Sequence, residues 1–188
     1  MTDNKAFSEY LAQLAQANWP RWADLPQFDL YMDQVLQFVN ELTAPTGMGE
    51  LTATMVNNYV KKGVISAPTK KKYGRTQIAN IIVIAILKPV FALDTIADGI
   101  KYQLVNRTAN QAYDAFILDF AGAIQQANSD FTGEVVINAV NKEDTTNIQN
   151  AMVQLAINAV LQKMLVETMT EIVTPKPVTK KTKKDKTK

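Results

Sequence analysis

The sequence predicts a mainly α-helical fold whose first half holds, in immediate succession, a helix, a short basic wing and a second helix. Three observations lead there. Apolar residues recur at helical spacing in one segment after another. Every proline before residue 174 (Pro20, Pro26, Pro45, Pro68, Pro89) falls between those segments. The charge is also divided by position. Residues 51–75 carry six bases (Lys61, Lys62, Lys70, Lys71, Lys72, Arg75) and no acid, residues 1–50 carry two bases against seven acids, and residues 76–175 carry five against ten. A positive island on a negative body suits contact with a polyanion at one place and in one orientation.

The elements follow in order. Asp3–Ala17 has Phe7, Tyr10, Leu11 and Leu14 on one helical face. Trp19–Pro26 is a compact linker, and its tryptophans are expected to cover the core because Asp24 and Asp29 would repel phosphate. Asp29–Leu42 is a second helix with Leu30, Tyr31, Val35, Phe38, Val39 and Leu42 as its apolar stripe. Residues 43–49 form a loop. The third helix starts at Thr52 or Thr54, either of which can cap free N–H groups. It ends at Gly63, which tolerates the left-handed C-terminal conformation. Pro68 sets a turn, Thr69–Tyr73 forms a wing strand, and Arg75–Lys88 is a helix apolar nearly all round and therefore central. A short helix is expected at Asp94–Leu104, a longer one at 108–127, a turn at 128–133 and a long apolar helix at 145–173 that lies inside the monomer or pairs with a copy of itself. The tail from Thr174 is a Lys, Thr and Pro mixture expected to be disordered.

Composition excludes several chemistries. With no cysteine there is neither a disulfide nor a thiolate metal site. With no histidine and only Ser8, Ser66 and Ser129 as serines, no Ser–His or Cys–His nucleophile pair can be built. Asp94 with Asp98, or Glu143 with Asp144, offers carboxylates for magnesium, but no Gly-rich phosphate loop accompanies them. The chain is therefore read as not an enzyme, with no cofactor and no metal. The polar start lacks a secretory pattern and Ile78–Leu87 is too short to span a bilayer, so a soluble cytoplasmic protein without membrane association is expected.

The nucleic-acid candidates come from the island. Thr54, Asn57, Asn58 and Lys61 share one side of the third helix, and an asparagine amide can pair with adenine for about 1–3 kcal/mol of discrimination. The alternative for either asparagine is an internal hydrogen bond. Tyr59 can send its hydroxyl to phosphate or only pack. Lys62, Lys70, Lys71 and Lys72 supply charge, Arg75 reaches phosphate from the next helix's first turn, and Tyr73 closes the wing. On a strand at most two of the three consecutive lysines share a face. The alternative is a solvated charged loop. Six or seven engaged cations would give a log K against log salt slope of roughly −5 to −6.

Two resemblances bear on these residues. Lys61-Lys62-Gly63-Val64-Ile65, Tyr59, Tyr73-Gly-Arg-Thr-Gln-Ile78 and Phe91-Ala-Leu-Asp-Thr-Ile96 together resemble the winged helix-turn-helix of MerR-like transcription regulators. Asn57-Asn58 stand where those proteins usually carry Arg-Tyr, and Gly74 stands where a serine cap is expected. More closely, Leu25–Gln34 with Thr54–Lys61 and Lys70–Tyr73 looks like an uncharacterised bacterial family of small helical proteins, catalogued as a domain of unknown function and often described as transcription regulators. These resemblances imply a MerR-like winged helix-turn-helix DNA-binding domain over 25–107. An N-terminal helix and linker (1–24) precede it, and a helical dimerisation or interaction region (108–173) and the tail (174–188) follow. The implied function is a sequence-specific DNA-binding transcription regulator, acting on double-stranded DNA as a homodimer. Helix 52–63 would sit in the major groove and 69–75 on phosphates, and the sequence names no effector. The competing reading is a helical protein–protein interaction module whose basic island meets an acidic partner.

Overall fold

A computed structural model of the chain describes residues 2–129 and 145–174, with side chains over 4–129 and 148–174. Among them are seven helices: α1 (Thr2–Ala15), α2 (Met32–Thr43), α3 (Ala53–Lys61), α4 (Arg75–Leu87), α5 (Leu93–Gln103), α6 (Ala109–Ser129) and α7 (Thr145–Val173). The one sheet has two short antiparallel strands, β1 (Leu30–Tyr31) and β2 (Lys72–Tyr73), with Leu30 opposite Tyr73 and Tyr31 opposite Lys72. The fold is mainly helical.

The fold is organised by α4. Ile78, Ile81, Ile82, Ile84 and Ile86 are fully buried, because α2, α5, α6 and α7 all pack on this helix. Burying side chains of this size stabilises by about 1.5–3 kcal/mol each. One continuous apolar core extends from Leu11 and Leu14 of α1 through Val35 and Val39 of α2 to Leu161 and Leu165 of α7. The inward face of α7 repeats at helical spacing through Ile157, Val160, Leu161 and Met164, while Val166 and Val173 remain exposed. Trp19 is in the core, edge-on to Phe120 with centroids 4.8 Å apart.

Several boundaries differ from those expected. The second helix begins at Met32, because Leu30–Tyr31 is extended and pairs with β2. Leu30 is buried and Tyr31 exposed, a period-two alternation too short to stand out beside the helical stripe that follows. Tyr31 therefore leaves that stripe. The expected wing strand Thr69–Tyr73 contracts to Lys72–Tyr73, since Thr69–Lys72 is a tight turn closed by reciprocal backbone hydrogen bonds of 3.0 Å. α1 stops at Ala15, whose carbonyl accepts from Gln125 Nε2 of α6 at 2.6 Å. α6 continues to Ser129, so the turn expected at 128–133 does not include its first two residues, and 130–133 lie outside the described residues. So does the expected tail beyond Thr174.

The start of the linker is fastened to α6. Tyr113 donates from its hydroxyl to the Pro20 carbonyl at 3.0 Å. The Asp114 carboxylate accepts from the Trp22 N–H at 2.7 Å and from Arg21 Nη2 at 3.0 Å. The rings of Trp22 and Tyr113 meet edge to face at 6.2 Å.

Two predictions follow from this joint. Asp114→Ala removes both hydrogen bonds, leaves the half-buried Trp22 N–H unpaired, and should cost about 1.5–3 kcal/mol, read as a lower urea midpoint. Burial, helped by the Asp114 and Asp24 carboxylates, holds the Tyr113 hydroxyl well above the ordinary tyrosine range. A folded-state value raised above the unfolded value of about 10 stabilises the fold fully below that pH, and the stabilisation is lost as pH rises further. Urea midpoints should fall above about pH 10, and less steeply in Tyr113→Phe.

Candidate nucleic-acid interface

α3 is held at both ends by local chemistry. At its start Thr52 Oγ1 accepts from the Met55 N–H at 3.3 Å, as an N-cap does. One residue earlier, Asn40 of α2 grips Leu51 twice: its Nδ2 donates to the Leu51 carbonyl at 3.0 Å, and its Oδ1 accepts from the Leu51 N–H at 2.7 Å. This side-chain amide imitates a strand pairing and fixes α3 against α2. The connection between them turns at Gly47 and Gly49, both with positive φ, and is braced by the buried Thr43 and Thr46 hydroxyls.

The C-terminal end is a Schellman motif. Gly63, at φ 71°, donates its N–H to the Val60 carbonyl at 3.0 Å, and Val64 donates to the Tyr59 carbonyl at 3.0 Å. These ends set the facing of α3. Val56 and Tyr59 point into the core. Thr54, Asn57, Asn58 and Lys61 are exposed on the opposite side, at spacings of three and four. Neither asparagine amide hydrogen-bonds to any described residue, so neither is used as an internal cap.

The basic turn comes next. Lys70 and Lys71 occupy its two central positions with φ of 50° and 65°. Positive φ at both centres is the arrangement of a type I′ turn, where Asn-Gly is the favoured pair and a long side chain is strained. Both lysines are exposed at the tip. Strand alternation therefore does not govern them; it separates only the half-buried Lys72 from Tyr73. The Lys72 Nζ lies 4.8 Å from the centre of the exposed Tyr31 ring across the β1–β2 pair. Gly74 opens α4, and its N–H is accepted by Gln77 Oε1 at 2.7 Å. The Gln77 amide nitrogen donates to the carbonyls of Ser66 and Ala67 at 2.8 and 3.0 Å, tying the loop after α3 to the start of α4. A Cβ on residue 74 would come within 3.1 Å of Asp29 Oδ1, a close approach that a small shift of the exposed Asp29 side chain relieves.

Four of the nominated residues take other places. Tyr59 and Tyr73 are each only 2% exposed, so their rings support the surface from beneath. The Tyr59 hydroxyl is enclosed without a hydrogen-bond partner among the described residues and faces no phosphate. Lys62 pairs with Asp94 of α5 at 3.7 Å. Arg75 is turned back onto the linker, its guanidinium 5.9 Å from the Trp22 ring centre and its Nε 3.4 Å from the Pro26 carbonyl. With Asp29 beside Gly74, the first turn of α4 is also a poorer anion site than the sequence implies. The structure thus leaves Thr54, Asn57, Asn58 and Lys61 exposed in a row on α3 and Lys70 and Lys71 exposed on the turn, with Lys72 half-buried beside them. Sequence reasoning missed Tyr31 as the partner of Lys72, and Phe28, which is 71% exposed just before β1. No local pattern signals either, since Phe28, Asp29 and Tyr31 are all exposed and only Leu30 is buried.

Comparison with known proteins places this region in a family. Residues 20–116, just over half of the chain, match the family described as Domain of unknown function (DUF1836). The chain belongs to the DUF1836 family. No curated protein and no solved structure matches it significantly. The DUF1836 match contains α2, the α3 face, the basic turn, α4 and α5, and it ends within α6 just beyond Tyr113 and Asp114. Among the described residues no three acidic side chains gather as a metal site would require, and no helix is long and apolar enough to cross a membrane.

The turn gives a direct test of its geometry. Replacing Lys70 with Asn and Lys71 with Gly relieves two left-handed lysines and should stabilise the fold by about 1 kcal/mol or more, measured as a raised urea midpoint. An unchanged or lowered midpoint would mean the turn is not of this type.

Proposed function

We propose that this DUF1836 protein is a sequence-specific double-stranded DNA-binding regulator, with α3 in the major groove and the 69–72 turn on the phosphates. The observation that carries the reading is the outer face of α3. Thr54, Asn57, Asn58 and Lys61 stand exposed in one row, the two amides are unsatisfied by any described residue, and no acid occurs anywhere in residues 51–75. An α-helix fits the major groove, and asparagine matches the adenine edge there. Lys70 and Lys71 at a projecting tip supply the positioning charge. The likeness of residues 59–96 to MerR-like winged helix-turn-helix regulators supports the same docking. Exposed Leu118 on α6 and Val166 on α7 support self-association through the C-terminal helices, which would set two such helices on two half-sites.

The electrostatic expectation is now narrower. Lys62 is ion-paired with Asp94 and Arg75 is turned back onto the linker, whereas Lys72 over the exposed Tyr31 ring keeps its full charge at the turn, which leaves Lys61, Lys70, Lys71 and Lys72 as the engaged cations. Four phosphate contacts give a log K against log salt slope of about −3.6. Fluorescence anisotropy on duplexes taken from a random-oligonucleotide selection checks it. Replacing Lys70 and Lys71 with Ser should lower affinity for all duplexes alike and flatten the slope by about two units, while Asn57→Ala should alter preference among sequences. A slope near zero, or no binding at low salt, overturns the proposal and leaves an acidic protein as the partner of the basic island.

A further inference from the structure

α4 is apolar around almost its whole circumference, yet Asn80 sits in its middle between Ala79 and Ile81, both buried. Asn80 itself is half-buried, and burying part of an amide without a hydrogen-bond partner costs free energy. No described residue hydrogen-bonds to it. Asn80 lines a cavity of about 760 Å³ between α4, α5, α6 and α7, open to solvent on one side and bounded by Trp22. Small-molecule sites are clefts or cavities of about 300–1,000 Å³.

The cavity exists because its walls are unequal. Where the helices face one another across it, the side chains are small: Ala79 on α4, Gly99 on α5, Ala112 on α6, and Ala156 and Ala159 on α7. Rings surround the same space, from Trp22, Phe91, Tyr102, Tyr113 and Phe116. Flat, shallow surfaces beside aromatic ones accept a planar ligand. Charge is nearly absent from the lining. Asp98 is its one carboxylate; it is exposed at the rim and paired with Lys101 at 3.4 Å. No basic side chain lines the space. The nearby Arg107 is committed to Gln103 Oε1 at 2.8 Å and Asn150 Oδ1 at 2.6 Å.

We propose that this cavity binds an uncharged, planar aromatic small molecule that hydrogen-bonds to the Asn80 amide. The site stands apart from the DNA reading, since none of its lining residues belongs to the α3 face or the basic turn.

Titration of the full chain with N-phenyl-1-naphthylamine tests this. The probe is a neutral aromatic amine with one N–H, and it brightens in apolar surroundings. The expected result is a saturable rise at one probe per chain. 8-Anilinonaphthalene-1-sulfonate, of similar ring shape but anionic, should bind at least about tenfold more weakly. Ala156→Phe should abolish the rise by filling the cavity. Asn80→Leu, which suits an apolar helix and is not expected to unfold the chain, should weaken the neutral probe about fivefold, the effect of one hydrogen bond. Melting curves on both variants establish that they are folded, and Asn80→Leu decides the matter if Ala156→Phe is not. The proposal is overturned by absence of saturable binding, by equal affinity for the anionic probe, or by unchanged affinity in folded Asn80→Leu. It is also overturned if light scattering shows that the probe binds only by dissociating a dimer, since the cavity would then belong to a second copy of the chain.

Discussion

The fold depends on one constraint: α4 must be covered on nearly every side. Its five buried isoleucines are satisfied only when α2, α5, α6 and α7 are all in place. That demand makes the helix a fixed reference for what lies at its ends. Gln77, in its first turn, reaches back to the carbonyls of Ser66 and Ala67 and to the Gly74 N–H. The loop leaving α3 and the basic turn are therefore held to the most rigid part of the molecule. Asn40 does the same for the start of α3 from the side of α2. A nine-residue helix such as α3 would be marginal alone; here it is clamped at each end and packed through Val56 and Tyr59.

Much of this was legible in the sequence because it is local. The choice of Thr52 or Thr54 as cap, the left-handed Gly63 and the all-round apolar character of 75–88 each follow from residues a few positions apart. The extent of α7 was also legible, since helical periodicity over so long a stretch leaves little room for error. What the sequence concealed depends on residues distant in the chain. β1 is only two residues long and acquires its strand character from β2, some forty positions later. Tyr59 was open to phosphate contact or to packing alone, because tyrosine suits both a core and a surface, and only the packed structure distinguishes the two; Tyr73, read as closing the wing, is buried as well. The pairing of Lys62 with Asp94 and the turning of Arg75 toward Trp22 are likewise tertiary facts. The family membership rests on residues 20–116 as a whole, and the motifs between Leu25 and Tyr73 are the part of it that the sequence made visible.

The basic turn breaks a local rule. Two lysines hold left-handed backbone conformations that Asn and Gly occupy at lower energy, and they place two like charges side by side at an exposed tip. Natural sequences are locally consistent over most of their length, and departures concentrate where a site needs particular side chains. Asn80 is a second departure, an amide in the middle of an isoleucine-rich helix. The two lie in different parts of the molecule, one projecting into solvent and the other lining a cavity between helices.

The joint between the linker and α6 has an architectural consequence. The Pro20 carbonyl, the Trp22 N–H and the Arg21 guanidinium meet Tyr113 and Asp114, so the first and last residues of the DUF1836 segment are neighbours in space. The chain thus enters and leaves the matched segment at one place, as the ends of compact units commonly lie close together. Here the flanking helices α1 and α7 pack on α6 and on each other, and α7 also covers α4, so the matched segment and its flanks share one core anchored at that junction.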